Sequence, residues 1–177
     1  MTRQGRTTGR TARRKGLAAE AVVAAHHARY AAEGRALIYQ RPTPVKPLGG
    51  VRGGAFRACW LASAGCDFGG VLTGGVGVVL ELKTSAGASL PLARHGEPSL
   101  KPAQGAELAQ AHALGALALV LVRVSPAAGD VWVRLAWPGW VAAVAEAEAE
   151  GAASLSVARL SRHGRVVVGG DWLARMP

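Results

Sequence analysis

A chain of 177 residues, half of them hydrophobic and 18% charged, has the composition of one folded globular domain and excludes a disordered, fibrous or collagen-like protein. No apolar run approaches the roughly 18 residues of a membrane span, and residues 1–15 are polar and basic with no signal-peptide core, so a cytoplasmic protein with no membrane partner is expected. Lys and Arg number 21 against 11 Asp and Glu, a net charge of +10. The excess is local: residues 1–60 hold twelve bases and two acids, whereas residues 61–177 hold nine of each. A cationic segment on an otherwise neutral body attracts polyanions, of which nucleic acid is the commonest in cytosol. Seventeen Arg, four Lys and no Asn indicate a GC-rich genome, a bias that accounts for Arg over Lys but not for the missing acids. Cys59 and Cys66 are too few for a disulfide scaffold or a structural zinc site and are expected to be small buried hydrophobes.

In chain order, residues 1–15 carry six bases and almost nothing large and apolar, and read as a flexible arm able to order on a phosphate backbone. Leu17 to Glu33 runs without Gly or Pro and is followed by Gly34, the pattern of a helix with its C′ glycine. Ala36 to Gln40 is a short strand stopped by Pro42 and Pro44. Val45 to Gly65, with Gly49, Gly50, Gly53 and Gly54, lacks clear periodicity and is expected to be a long functional excursion. Cys66 to Leu72 and Val76 to Lys83, separated by Thr73, Gly74 and Gly75, predict a β-hairpin. A loop then leads to Pro102, which opens a helix ended by Gly115. Ala116 to Val124 is a nearly continuous apolar strand, as expected at a sheet centre covered on both faces. Asp130 to Trp137 alternates as its neighbour, Trp137 to Gly151 is a helix with Glu146, Glu148 and Glu150 at an exposed end, and the tail adds a small strand and a helical turn. The order describes one α/β domain with a central mixed sheet, residues 16–177, behind the basic arm.

The chemistry concentrates on the hairpin. In Val-Val-Leu-Glu-Leu-Lys, Glu81 and Lys83 are two apart and share a strand face, with Leu80 and Leu82 on the other. Asp67, at the start of the preceding strand, can lie beside them. Carboxylates held this close repel unless a cation neutralises them, and hard oxygen ligands suit Mg2+ or Mn2+. A lysine on the same face can orient the attacking water and offset charge on a phosphate in the transition state. An Asp followed at a distance by Glu-x-Lys is the pattern of the PD-(D/E)xK nuclease superfamily, although the same residues occur in ordinary surface hairpins.

From Gly16 to about Leu135 the chain resembles the RecU-type Holliday junction resolvases, a bacterial branch of that superfamily. The matching features are Gly16-x-x-x-Glu20 on the first helix, YAAEGRALIYQRPTPV at Tyr30 to Val45, CDFGGVL with Asp67, LELKT with Glu81 and Lys83, SLPL at Ser89 to Leu92, and Gln104 opening the second helix. The resemblance implies a restriction-endonuclease-like core in which Asp67 and Glu81 hold the metal with Glu20 as a third carboxylate. It makes Lys83 the water-orienting residue, lets Gln104 position the nucleophile or scissile phosphate, and lets Thr84 touch phosphate. It further implies a protruding stalk at about residues 46–65. On this stalk Trp60 would stack on unpaired bases at the junction centre or anchor the stalk, while Arg52 and Arg57 meet phosphates. Arg10, Arg13, Arg14 and Lys15 would follow a junction arm. The implied function is a homodimeric, structure-selective endodeoxyribonuclease that resolves four-way DNA junctions by paired nicks in recombination and repair, with a recombinase or branch-migration helicase as further partner. The Trp-bearing second half is a candidate for the dimer face. The rivals are another nuclease of the superfamily, restriction-type or archaeal-type, and a non-catalytic junction-binding protein. The segment before the second helix is longer than in the family, and Lys101 and Pro102 replace more polar residues there, which bears on the register of Gln104.

Overall fold

Alternation of apolar residues along the strands creates two buried faces, and the helices divide between them. A computed structural model describes residues 3–42, 45–52, 55–60 and 65–174. The elements are α1 (Arg3–Ala32), β1 (Ala36–Gln40), β2 (Val45–Arg52), β3 (Ala55–Trp60), β4 (Phe68–Leu72), β5 (Gly77–Ser85), β6 (Ser89–Pro91), β7 (Ala93–Arg94), β8 (Glu97–Pro98) and α2 (Pro102–Ala113). They continue with β9 (Leu117–Val124), β10 (Val131–Ala136), α3 (Trp137–Ala149), β11 (Ser154–Ser156), α4 (Val157–His163) and β12 (Arg165–Val167). Six strands form the central sheet in the order β1-β4-β5-β9-β10-β12, in which β5 and β9 run parallel and the other neighbours antiparallel. The chain is therefore α/β with a mixed central sheet flanked by helices. No described helix is long and apolar enough to cross a membrane.

On one face Leu80, Leu82, Leu119 and Leu121 pack against Ala19, Val23 and Tyr30 of α1. Those α1 residues fall at helical spacing, and with His27 they form one buried stripe. On the other face Val79, Val120, Val122 and Val133 pack against Leu108 of α2, Trp140 and Ala143 of α3, and Leu160 of α4. β9 lies inside the sheet with both of its faces covered, which explains its unbroken apolar sequence. α1 ends as its sequence predicts: Gly34 has φ 66°, and the Arg35 amide donates to the Tyr30 carbonyl at 2.8 Å, closing a Schellman turn.

Four sequence expectations are altered. The segment read as a basic arm is helical, because α1 begins at Arg3. Its residues include no proline, and once the later turns are fixed against the sheet each added residue closes a hydrogen bond without a new nucleus. The glycine-rich excursion is not aperiodic: β2 and β3 pair antiparallel, with Val45 opposite Trp60 and Arg52 opposite Ala55, and the register shifts between Leu48 and Arg52 where Gly49 and Gly50 lie. The glycines mask the strand pattern by sitting at the irregularity. The loop before α2 contains two short pairings, β7 with β8, and β6 with β11 from beyond α3. Finally, the second half's Trp132, Trp140 and Trp172 are buried in this chain's own core.

The tail does more than add a strand. Trp172 is fully buried on the α1 face, and its indole N–H donates to His27 Nε2 at 2.9 Å. Asp171 accepts from Arg29 at 2.5 Å and from the Tyr30 hydroxyl, whose oxygen in turn accepts the Leu173 amide at 3.2 Å. Glu146 is not simply exposed; it meets Arg162 and His163 of α4, while Glu150 meets Arg159. His27 is packed rather than solvated, and burial, reinforced by neighbouring His26, pushes its pKa down to about 4. The unfolded chain binds that proton near pH 6.5 and the folded chain does not until about pH 4. His27 therefore supports stability fully above pH 6.5 and withdraws that support as pH falls towards 4. Denaturant titrations should show wild-type stability falling over this window by about 3 kcal/mol more than that of His27→Gln, whose amide still accepts from Trp172.

Candidate functional site

The site forms where β4 begins and β5 passes through the sheet. Phe68 stands opposite Leu80, and this register sets Asp67 beside Glu81. Two reciprocal bonds lock them: the Asp67 amide donates to Glu81 Oε2 at 3.1 Å, and the Leu82 amide donates to Asp67 Oδ2 at 2.9 Å. Leu80 and Leu82 enter the α1-side core, so Glu81 and Lys83 face α2. Glu81 is only 2% exposed. Its Oε1 accepts from Lys83 Nζ at 2.7 Å and from Gln104 Nε2 at 2.8 Å.

Gln104 occupies the first turn of α2, where Pro102 starts the helix. Its amide oxygen accepts the Lys101 backbone N–H at 3.0 Å and Lys83 Nζ at 2.9 Å, leaving its NH2 for Glu81. Every polar atom of this side chain thus has a partner that fixes which end points where. With Lys101 and Pro102 ahead of it, Gln104 meets both Glu81 and Lys83.

Arg41 and Glu107 complete the frame, and the sequence reading misses both. The Arg41 amide donates to the Asp67 carbonyl at 2.8 Å, while its guanidinium pairs with Glu107. Glu107, one helical turn after Gln104, also accepts the Cys66 amide at 2.7 Å. The bridge needs glycine on either side of Asp67: a Cβ at Gly65 would lie 2.3 Å from Glu107 Oε2, and one at Gly69 would lie 2.7 Å from Arg41 Nε. The available signals were the scarcity of acids, which makes Glu107 conspicuous, and its i+3 relation to Gln104.

The two acids beside one another differ from the third. Burial and then the charge of Asp67 push Glu81 up to about 7, against the opposing pull of Lys83. Burial also raises Asp67, offset by the Leu82 amide and Lys83. Burial works to raise Glu107 as well, but the Cys66 amide and Arg41 outweigh it and hold that carboxyl below its ordinary value. Burial, with Glu81 and Glu107 nearby, pushes the Cys66 thiol up, so it stays protonated and is no nucleophile.

Of the predicted site residues, Asp67, Glu81, Lys83 and Gln104 come together in one hydrogen-bonded set. Glu20 does not join them: α1 packs on the opposite sheet face, and Glu20 Oε2 accepts from Gln40 Nε2 at 3.1 Å. Among the described residues no group of three or more His, Cys, Asp or Glu is gathered to hold a metal ion. Thr84 lies on the α1 side, with its Oγ1 4.0 Å from where a Cβ on Gly16 would be. The side chains of Arg10, Arg13, Arg14, Lys15, Arg52, Arg57 and Trp60 lie outside the described residues. By register Trp60 stands at the base of the β2–β3 ribbon and Arg52 near its turn.

The paired acids Asp67 and Glu81 nevertheless suit a hard divalent cation. Both are carboxylates whose ionised form is disfavoured by burial, and Glu81 is further disfavoured by its neighbour, an arrangement that a bound cation relieves. In EDTA-treated protein, carboxyl NMR should find Glu81 titrating near 7. Asp67→Asn should lower that midpoint by removing a like charge, and Lys83→Ala should raise it; no change in either variant would contradict the described coupling. No family model matches the chain, and no curated protein matches it in sequence.

Proposed function

We propose that the protein is a Mg2+-dependent endodeoxyribonuclease of the PD-(D/E)xK type that acts on four-way DNA junctions as the RecU-type resolvases do. The observation that carries this reading is the single set Asp67, Glu81, Lys83 and Gln104, in which Glu81 joins the aspartate and the lysine of the Asp…Glu-x-Lys pattern within a mixed sheet. The fold to which this reading assigns the core is the restriction-endonuclease-like one, with the β2–β3 ribbon as its stalk.

In this reading Asp67 and Glu81 hold Mg2+ or Mn2+, and Glu20, bonded to Gln40 on the opposite face, is not a ligand in the DNA-free protein. The ion supplies an acidified water and charge neutralisation at the phosphate. Lys83 orients the attacking water and offsets the negative charge that builds on the phosphate oxygens. Gln104 holds the Lys83 ammonium and the Glu81 carboxylate in one orientation, so neither must reorganise as the reaction proceeds. Phosphodiester hydrolysis adds water across the P–O3′ bond, leaving 5′-phosphate and 3′-hydroxyl ends that a ligase can seal.

Cutting two strands of like polarity at related positions calls for two sites about a two-fold axis, hence a homodimer. The basic N-terminal helix, with Arg10, Arg13, Arg14 and Lys15, lies along a junction arm, and Trp60, Arg52 and Arg57 serve the junction centre from the ribbon. The cytoplasm, and a recombinase or branch-migration helicase as partner, complete the proposal.

The test is cleavage of an end-labelled four-way junction with a mobile core, beside matched linear duplex. Symmetric nicks in Mg2+, none in EDTA, and a rate roughly 10²–10³-fold lower in Lys83→Ala are expected. Equal cutting of duplex would make the protein a general nuclease of the superfamily. Tight junction binding without cutting in any divalent metal would make it a non-catalytic binder.

A further inference from the structure

We propose that Arg94, on the β7–β8 hairpin, binds the DNA phosphate adjacent to the one cleaved, an inference that rests on the nuclease reading above. Alternate residues of a strand share a face, so Glu81, Lys83 and Ser85 form one row along β5 on the α2 side. The row leaves the site at Ser85, where Arg94 Nη2 donates to the Ser85 hydroxyl at 3.4 Å. Steps of two residues along a strand are about 6.7 Å, comparable with the step between successive phosphates of a nucleotide strand. A cation one place beyond Lys83 is thus spaced for the next phosphate.

A cavity of about 230 Å³ occupies this stretch, lined by Lys83, Thr84, Leu90, Arg94, Glu97 and Ser99. Two cations, Lys83 and Arg94, against one acid, Glu97, make it a place for an anion. Arg94 is exposed, and no carboxylate among the described residues lies within ion-pair distance of it, in contrast to Arg29, Arg35, Arg41, Arg123, Arg159 and Arg162, which are all paired. Glu97 stands opposite Arg94 in the register yet forms no ion pair with it. One guanidinium nitrogen steadied by a hydroxyl leaves the remaining donors of the fork for phosphate oxygens. The hairpin that carries Arg94 is short, turned by His95 at φ 54° and Gly96 at φ 82°, and closed at its base by the Ser99 amide donating to the Leu92 carbonyl at 2.8 Å.

The experiment measures four-way junction binding in Ca2+ across a salt series, and single-turnover cleavage in Mg2+, for wild type, Arg94→Ala, Arg94→Lys and Glu97→Gln. Arg94→Ala should weaken binding about tenfold and reduce the log–log salt slope by about 0.9, the value for one phosphate that is no longer neutralised. Arg94→Lys should keep the slope and recover part of the affinity, and Glu97→Gln should tighten binding. At saturating DNA, cleavage by Arg94→Ala should approach the wild-type rate, unlike Lys83→Ala. Should wild type cut junctions while both Arg94 variants, folded by circular dichroism, keep its affinity and slope, Arg94 touches no phosphate and the nuclease reading stands. A wild-type protein that neither binds nor cuts DNA overturns the nuclease reading and this inference together.

Discussion

A carboxylate placed inside a β-sheet must find compensation or take up a proton, and the surroundings of Glu81 are organised by that requirement. One oxygen takes a backbone amide from the neighbouring chain segment, while the other takes an ammonium and a side-chain amide. Each partner comes from a different place: Asp67 from the start of β4, Lys83 from the same strand, Gln104 from α2. Shifting β4 by one residue would turn Asp67 away, and shifting α2 by one would break both the Gln104 bonds and the Glu107 bridge. The arrangement of these four side chains and the pairing of strands are thus fixed by the same bonds.

Environment alone separates the acids. Glu107 has an amide and a guanidinium that more than offset its burial, so it stays ionised and acts as a structural anion. Glu81 has a like charge beside it and less access to water, and is left near the point of protonation. A carboxyl that keeps its proton to about pH 7 when folded, but loses it near 4.5 when unfolded, detracts from stability as pH rises between those values. His27, buried on the opposite face, acts in the other direction over part of the same range. Glu81 is therefore a burden to the fold at neutral pH.

Much of this was legible because periodicity and chemistry coincided. Glu81 and Lys83 broke an apolar run at a spacing of two, which placed them on one face without any knowledge of the fold, and the prolines and glycines flanking the helices marked their ends. The β2–β3 ribbon was hidden because glycine supplies no side-chain alternation, and pairing is visible only between two segments at once. β11 and β6 were hidden for a related reason: three-residue strands from opposite sides of α2 and α3 carry no pattern of their own. Arg41 and Glu107 follow from tertiary placement, since nothing in the Tyr30–Val45 run marks Arg41 for a partner and Glu107 looks like any helix glutamate until it meets the Cys66 amide. Glu20 sits on the helix the sequence predicts, but no spacing rule says across which face of the sheet that helix packs.

The seal between the tail and α1 has a consequence for how the chain acquires its structure. His27 meets Trp172 across 145 positions of sequence, and Tyr30 meets Leu173 across 143. Closing so long a loop comes late in folding, because its entropy is lost before the contacts repay it. During synthesis the apolar stripe of the first helix therefore has no complete cover until Trp172 and Leu173 have been made. The central strands, meanwhile, already offer pairing edges to other chains. Until Trp172 is in place, the charge carried by the first helix helps to keep that half-finished sheet in solution.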